Sequence, residues 1–84
     1  MIKYCYSYFN RLTGQYEMPR AVPFDKEAAV ESLMDYLKTT IQEDNKELLE
    51  CDFYFCGKFD TKTGIFTQEK ELLLSLSKES IYGG

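Results

Sequence analysis

Two aromatic-rich stretches, residues 3–9 and 53–59, flank a segment whose apolar residues recur at helical spacing, which predicts strand, helix and strand in that order. Both strand-like runs end in one motif. Phe9-Asn10-Arg11-Leu12-Thr13-Gly14-Gln15-Tyr16 matches Phe59-Asp60-Thr61-Lys62-Thr63-Gly64-Ile65-Phe66 as F-[ND]-x-x-T-G-x-[YF], at an offset of 50 residues. The Asn10 and Asp60 side chains can accept hydrogen bonds from the backbone two residues on, and Gly14 and Gly64 supply the left-handed residue that returns the chain to a ladder. Each copy therefore predicts a hairpin tip, giving hairpins over residues 3–18 and 52–68.

Between them Asp25 is placed to cap a helix over residues 25–43, with Val30, Leu33, Leu37 and Ile41 on one face and Ala29, Met34 and Tyr36 at its margins. Glu27, Glu31, Asp35 and Lys38 form the opposite, solvated face. Pro19 and Pro23 end the first hairpin's return strand early and favour an extended connection. In the tail, 69–84, the stretch Glu69 to Leu76 fits two descriptions. It is either a short helix with Leu72, Leu73 and Leu76 inward, or an extended edge segment with Leu72, Leu74 and Leu76 on one side. The expected fold is α+β, one domain over 1–84: a single antiparallel sheet from two β-hairpins flanking one amphipathic helix (ββαββ), with a short C-terminal helix or edge segment.

Strand side chains alternate between faces, so a constant offset of 50 aligns the two hairpins. One face then carries Lys3, Cys5, Ser7 and Phe9 with Phe53, Phe55, Gly57 and Phe59, and is expected under the helix. The other carries Tyr4, Tyr6, Tyr8 and Asn10 with Tyr54, Cys56, Lys58 and Asp60, and is expected to stay uncovered. A bulge at Ser7 or Gly57 would break this parity. An exposed group of Tyr4, Tyr6, Tyr8 and Tyr54 has three readings. It can stack the bases of single-stranded nucleic acid while Lys3, Arg11, Lys58 and Lys62 meet phosphates. It can be a protein interface, most economically that of a homodimer. Or the tail folds over it and the tyrosines are core rim.

Composition narrows the chemistry. The 84 residues include 7 Tyr and 6 Phe but no His and no Trp. Histidine-based triads and histidine-containing zinc sites are thereby excluded. No pair of carboxylates has a recognisable catalytic spacing, and neither T-G turn has the glycines or the Gly-Lys-[Ser/Thr] ending of a phosphate loop. No catalytic residue, metal or cofactor is expected, and the protein is read as not an enzyme. Cys5, Cys51 and Cys56 form no C-x2-C pair and are expected as reduced core thiols. Met1-Ile2-Lys3-Tyr4 lacks an apolar signal region and Leu72–Leu74 is too short to cross a bilayer, so a cytoplasmic protein with no membrane contact is expected. The net charge of −4 is uneven: residues 25–52 hold nine acids against three lysines, whereas residues 1–24 carry +2 and residues 53–84 are balanced. Duplex DNA binding through a basic surface is disfavoured, and a neutral-to-basic face on the hairpins remains open.

The second hairpin, Asp52-Phe53-Tyr54-Phe55-Cys56-Gly57-Lys58-Phe59-Asp60-Thr61-Lys62-Thr63-Gly64, resembles the strand and G-x-F-D-x-x-T-G turn of the small nonstructural protein of gokushovirus-type microviruses, which are single-stranded DNA bacteriophages. The aromatic first strand, the connection Met18-Pro19-Arg20-Ala21-Val22-Pro23-Phe24 and the helix started by Asp25 follow in the same order. The resemblance implies a viral, nonstructural, DNA-binding protein (Microviridae) of the host bacterial cytoplasm, absent from the virion. It would act in the switch from genome replication to packaging, on single-stranded DNA or on a phage replication or packaging protein. Two departures, the overall acidity and the Leu72–Leu74 run in place of a Pro-rich segment, shift weight toward a protein partner. The competing expectation is a homodimeric interaction module, an adaptor or an inhibitor of a host factor, that binds no nucleic acid.

Overall fold

Two long strands with aromatic residues at alternate positions dominate the computed structural model, which describes residues 1–39 and 47–77. β1 (Ile2–Asn10) and β4 (Cys51–Asp60) pair antiparallel along their whole length at the centre of the sheet. β2 (Gln15–Tyr16) and β3 (Arg20–Val22) both pair with the outer edge of β1, and β5 (Phe66–Ser75) pairs with the far side of β4. Helix α1 (Lys26–Thr39) lies between β3 and β4 in the chain, and a 3-10 turn, Leu48–Glu50, leads into β4. The protein is thus α+β, with one antiparallel five-stranded sheet and one α-helix among the described residues.

The order is βββαββ rather than the expected ββαββ. The return strand of the first hairpin breaks at Glu17–Pro19 and resumes between the two prolines as β3, with Tyr4 opposite Val22 and Tyr6 opposite Arg20. The tail takes the extended alternative: the second strand of the second hairpin runs through Ser75 instead of ending at 68. A shift in register beside Phe53 moves its leucines out of simple alternation. Leu72 pairs with Tyr54 and is exposed, Leu74 pairs with Phe53, and Leu76 is fully buried. The expected helix end at 40–43, with Ile41, and the end of the tail at 78–84 lie outside the described residues.

Local chemistry explains each element. The Asp25 carboxylate accepts the Ala28 N–H at 2.9 Å, the N-cap anticipated for it. Ala29, Leu33 and Leu37 are buried, with Val30 and Met34 beside them, while Tyr36 is half exposed. Both tips close by the same kind of Asx turn. Asn10 Oδ1 accepts from the N–H groups of Leu12 and Thr13, Asp60 Oδ1 from that of Lys62, and Gly14 and Gly64, each at φ 71°, donate at 2.8 Å to the carbonyls of Asn10 and Asp60. Each tip also reaches the start of the other central strand: Thr61 N–H donates to the Met1 carbonyl and Arg11 N–H to the Glu50 carbonyl. The two hairpins are therefore related by an approximate two-fold axis between β1 and β4.

That symmetry has an interruption that decides which face is which. From Ile2↔Asp60 to Cys5↔Gly57 the register is regular, but Tyr6 pairs with Phe55, so Cys56 is bulged out. Beyond the bulge the offset between the halves is 50, as in Phe9 and Phe59; before it the offset is 49, which matches Tyr4 and Tyr6 to Phe53 and Phe55. The core accordingly contains Tyr6, Phe53, Phe55, Ala29, Leu33, Leu37 and Leu76, with Tyr4 and Tyr8 packed against it. The division of phenylalanines inward and tyrosines outward does not hold, because one bulged residue inverts the parity of β4 between Cys51 and Phe55.

Candidate functional site on the open sheet face

With Tyr4, Tyr6 and Tyr8 turned toward α1, the opposite face of the sheet is built from Lys3, Cys5, Ser7 and Phe9 of β1, Tyr54 and Phe59 of β4, Tyr16 of β2, and Phe66, Lys70 and Leu72 of β5. No described element covers it. Phe9 and Tyr16, the cross-strand pair beside the first tip, have ring centroids 4.7 Å apart, and Tyr16 meets Tyr54 edge-on at 5.6 Å. The Lys70 ammonium lies 4.7 Å from the Tyr16 centroid and 5.6 Å from that of Tyr54. Hydrogen bonding with the Tyr16 side chain raises the Lys70 pKa above its ordinary value, and the fields of Tyr16 and Tyr54 act in the same direction. Tyr16, Phe66 and Leu72 are each about half exposed. The Phe66 ring lies over Gly57, which closes this face around the small, buried Cys5.

The expected site residues are thereby divided. Tyr54 and Lys3 are on the open face. Tyr6 is buried, donates a 2.6 Å hydrogen bond to the Phe24 carbonyl and stacks on Phe53 at 5.3 Å; burial, with the nearby Asp25 carboxylate adding, pushes its hydroxyl up to about 12. Tyr8 packs on Phe53 and burial raises its pKa also, while Tyr4 packs near Phe55 with the Lys58 ammonium 6.0 Å from its ring centroid. These three tyrosines and Lys58 belong to the helix side, because the bulge puts Phe53 and Phe55 on their face. Arg11 is occupied structurally: its guanidinium pairs with Asp52 and donates to the carbonyls of Leu49 (3.0 Å) and Leu76 (2.7 Å), tying the first tip to the start of β4 and the end of β5. Lys62 is exposed at the second tip.

Phe9, Tyr16, Lys70 and Leu72 were not foreseen as site residues. The repeat held a signal for two of them, since F-x6-[YF] across a tip makes the two aromatic residues a cross-strand pair on one face. Lys70 and Leu72 depend on where β5 pairs, which no local pattern announces.

Charge sorts by face. Asp52, opposite Phe9 on the open-face side, is engaged by Arg11 and the Ser75 hydroxyl, and Glu71 pairs with Lys26 at 3.1 Å on the helix side. Glu71, with Glu27, Glu31 and Asp35 on α1, lies on the side away from Lys3 and Lys70. Burial raises the pKa of Cys5 and Cys56, and the nearby Cys5 thiol adds to the rise at Cys56, so both stay protonated at neutral pH. Among the described residues no cluster of three or more His, Cys, Asp or Glu side chains could hold a metal ion, and no helix is long and apolar enough to cross a membrane.

What this geometry offers chemically is contact: flat π-faces beside a cation, with flanking aliphatic surface. Comparison with protein-family models, with curated proteins and with solved structures finds no match to this chain.

Proposed function

We propose that the protein is a non-enzymatic accessory protein of a single-stranded DNA bacteriophage, acting in the host bacterial cytoplasm, and that it binds single-stranded nucleic acid on the open sheet face. The observation that carries this reading is Lys70 held against Tyr16 and Tyr54, with the Phe9 ring packed at a tilt beside Tyr16. Bases stack on such rings for about 1–3 kcal/mol each, whatever their sequence, and Lys70 and Lys3 stand where a backbone would run. The phage setting rests on the resemblance of the second hairpin and its turn to the microvirus nonstructural protein. Fluorescence anisotropy of a labelled oligothymidine tests the binding. Salt-sensitive affinity that falls on Tyr16→Ala and Lys70→Gln supports it, and absence of binding at low salt overturns it.

A homodimer is the second reading, and the edges of the sheet favour a particular form of it. β5 is an outer strand with register shifts and Glu69-Lys70-Glu71 at its middle, while β2 and β3 are short and separated by Pro19; both edges are poor templates for strand addition. Self-association would therefore use the open face, through Tyr16, Tyr54, Phe66 and Leu72. Light scattering that shows a dimer dissociated by Tyr54→Ala, without oligonucleotide binding, selects this reading over the first.

A further inference from the structure

Among the described residues, the helix side of the sheet is only partly filled. At each level the sheet is four strands wide, about 19 Å at a strand spacing of about 4.8 Å, and one helix covers about 10 Å of that. α1 approaches β5 most closely, anchored by the Lys26–Glu71 ion pair and by Lys26 lying 5.2 Å from the Phe55 ring centroid. Over β1 and β3 there remains an open cleft of about 1010 Å³. Its floor is Tyr8 and Phe53, its walls are Leu33 of α1 on one side and Met18 and Val22 on the other, and Leu48 closes one end. The space left beside α1 is one helix wide.

The rim of this cleft is acidic. Glu17 and Glu47 line it, and past Phe24 and Ser32 it continues into a shallower depression bordered by Glu31 and Asp35; Arg20 is the single basic side chain among the described lining residues. Four carboxylates around an apolar floor disfavour nucleic acid. They equally disfavour a second copy of this chain, since the exposed side of α1 would bring its own Glu27, Glu31 and Asp35 against them.

We propose that this cleft is a docking site for one amphipathic helix of a protein partner, with an apolar face seated on Tyr8, Leu33 and Phe53 and flanking Lys or Arg residues meeting Glu17, Glu31, Asp35 and Glu47. Such a helix completes the layer that α1 begins, and the contact is of the helix-in-groove kind. The site faces away from Tyr16, Tyr54 and Lys70, so it does not depend on nucleic-acid binding. The protein would then join two partners through opposite faces of one sheet.

The test is titration of the ¹⁵N-labelled full chain with a synthetic Leu/Lys peptide of about the length of α1, designed as an amphipathic helix. The controls are a scrambled peptide of the same composition and a Leu/Glu counterpart. Expected are shifts in the amide signals of Tyr8, Leu33, Leu48 and Phe53, none at Tyr54 or Lys70, and affinity at least about tenfold lower for the exposed double variant Glu17→Lys/Glu47→Lys. Should that variant lose its native spectrum, Ser32→Lys on the exposed mouth of the cleft is expected to give the same loss. Equal binding of the scrambled or Leu/Glu peptide, or shifts confined to the open face, overturns the proposal. So do concentration-dependent shifts at the cleft without peptide, which would identify a second copy as the occupant.

Discussion

Cys5 sits opposite Gly57 while its neighbour Tyr6 sits opposite Phe55, so that Cys56 is left out of register between them. The face assignment of β4 relative to β1 follows from this single extra residue. It puts Phe53 and Phe55 on the α1 side with Tyr4, Tyr6 and Tyr8, and leaves Tyr54 on the open side with Phe9 and Tyr16. Gly57 makes the bulge possible. Its φ of 147° is one that side-chain-bearing residues rarely adopt, and a Cβ there would meet the Thr67 carbonyl oxygen and the Phe66 ring, whose Cζ would be 2.8 Å away.

Gly57→Ala must therefore either open the β4–β5 ladder or push Phe66 off the open face. Backbone strain and the collision together are expected to cost about 2–4 kcal/mol, seen as a clear drop in melting temperature. The same change at the tip, Gly64→Ala, meets no neighbouring atom and is expected to cost only the left-handed backbone, about 1 kcal/mol. Equal effects at the two glycines would contradict the account of the bulge.

Much of the architecture is legible in the sequence. The F-[ND]-x-x-T-G-x-[YF] repeat marks two tips with the same Asx acceptors and the same left-handed glycines, and the helical spacing of Val30, Leu33 and Leu37 marks the inward stripe, although Ala29, placed at its margin, is buried and Val30 only half-buried. Face assignment failed because a repeat in sequence was carried backward at constant offset through Gly57, where the strand holds one more residue than its counterpart. β3 was missed because three residues between two prolines give no period, and their pairing with Tyr4–Tyr6 is a tertiary fact. Lys70 was missed for the same reason: it reaches Tyr16 and Tyr54 only through the register of β5.

Tyr6 provides a second test, since its hydroxyl is satisfied inside the protein by the Phe24 carbonyl. Tyr6→Phe retains the stacking on Phe53 and is expected to lose about 1 kcal/mol. The pH dependence has a definite sign. A phenol raised from 10.0 to about 12 by burial contributes stability that is fully present below about pH 10 and is lost as pH rises through 12, because the unfolded chain releases its proton first. Denaturant midpoints measured across this range should fall more steeply for the native chain than for Tyr6→Phe. Parallel curves would remove Tyr6 as the cause.

Arg11 was expected to meet phosphate and instead holds three parts of the chain together. Arg11→Met removes its bonds to Asp52 and to the carbonyls of Leu49 and Leu76, in a partly exposed setting that limits their worth. A loss of about 1–2 kcal/mol is expected in chemical denaturation. Affinity for an oligonucleotide, measured well below the unfolding midpoint, is expected to change less than about twofold. A large fall in affinity with stability intact would return Arg11 to the binding surface.

The open face and the helix side can be separated by a pair of tyrosines. Tyr54→Ala removes one ring from the group around Lys70 and is expected to weaken single-stranded binding by about 1–3 kcal/mol while lowering stability little, since its ring lies outside the helix-side core. Tyr8→Ala removes a ring packed on Phe53 and is expected to do the reverse, costing stability with affinity nearly retained in the folded fraction. Lys70→Gln adds an electrostatic readout. If its ammonium meets a phosphate, the slope of log affinity against log salt should become shallower by about 0.7, the value for one contact on a single strand. An unchanged slope with affinity lost would mean that Lys70 acts by holding Tyr16 and Tyr54 in place rather than by touching the strand, and the Tyr54→Ala and Tyr8→Ala results would then carry the nucleic-acid reading on stacking alone.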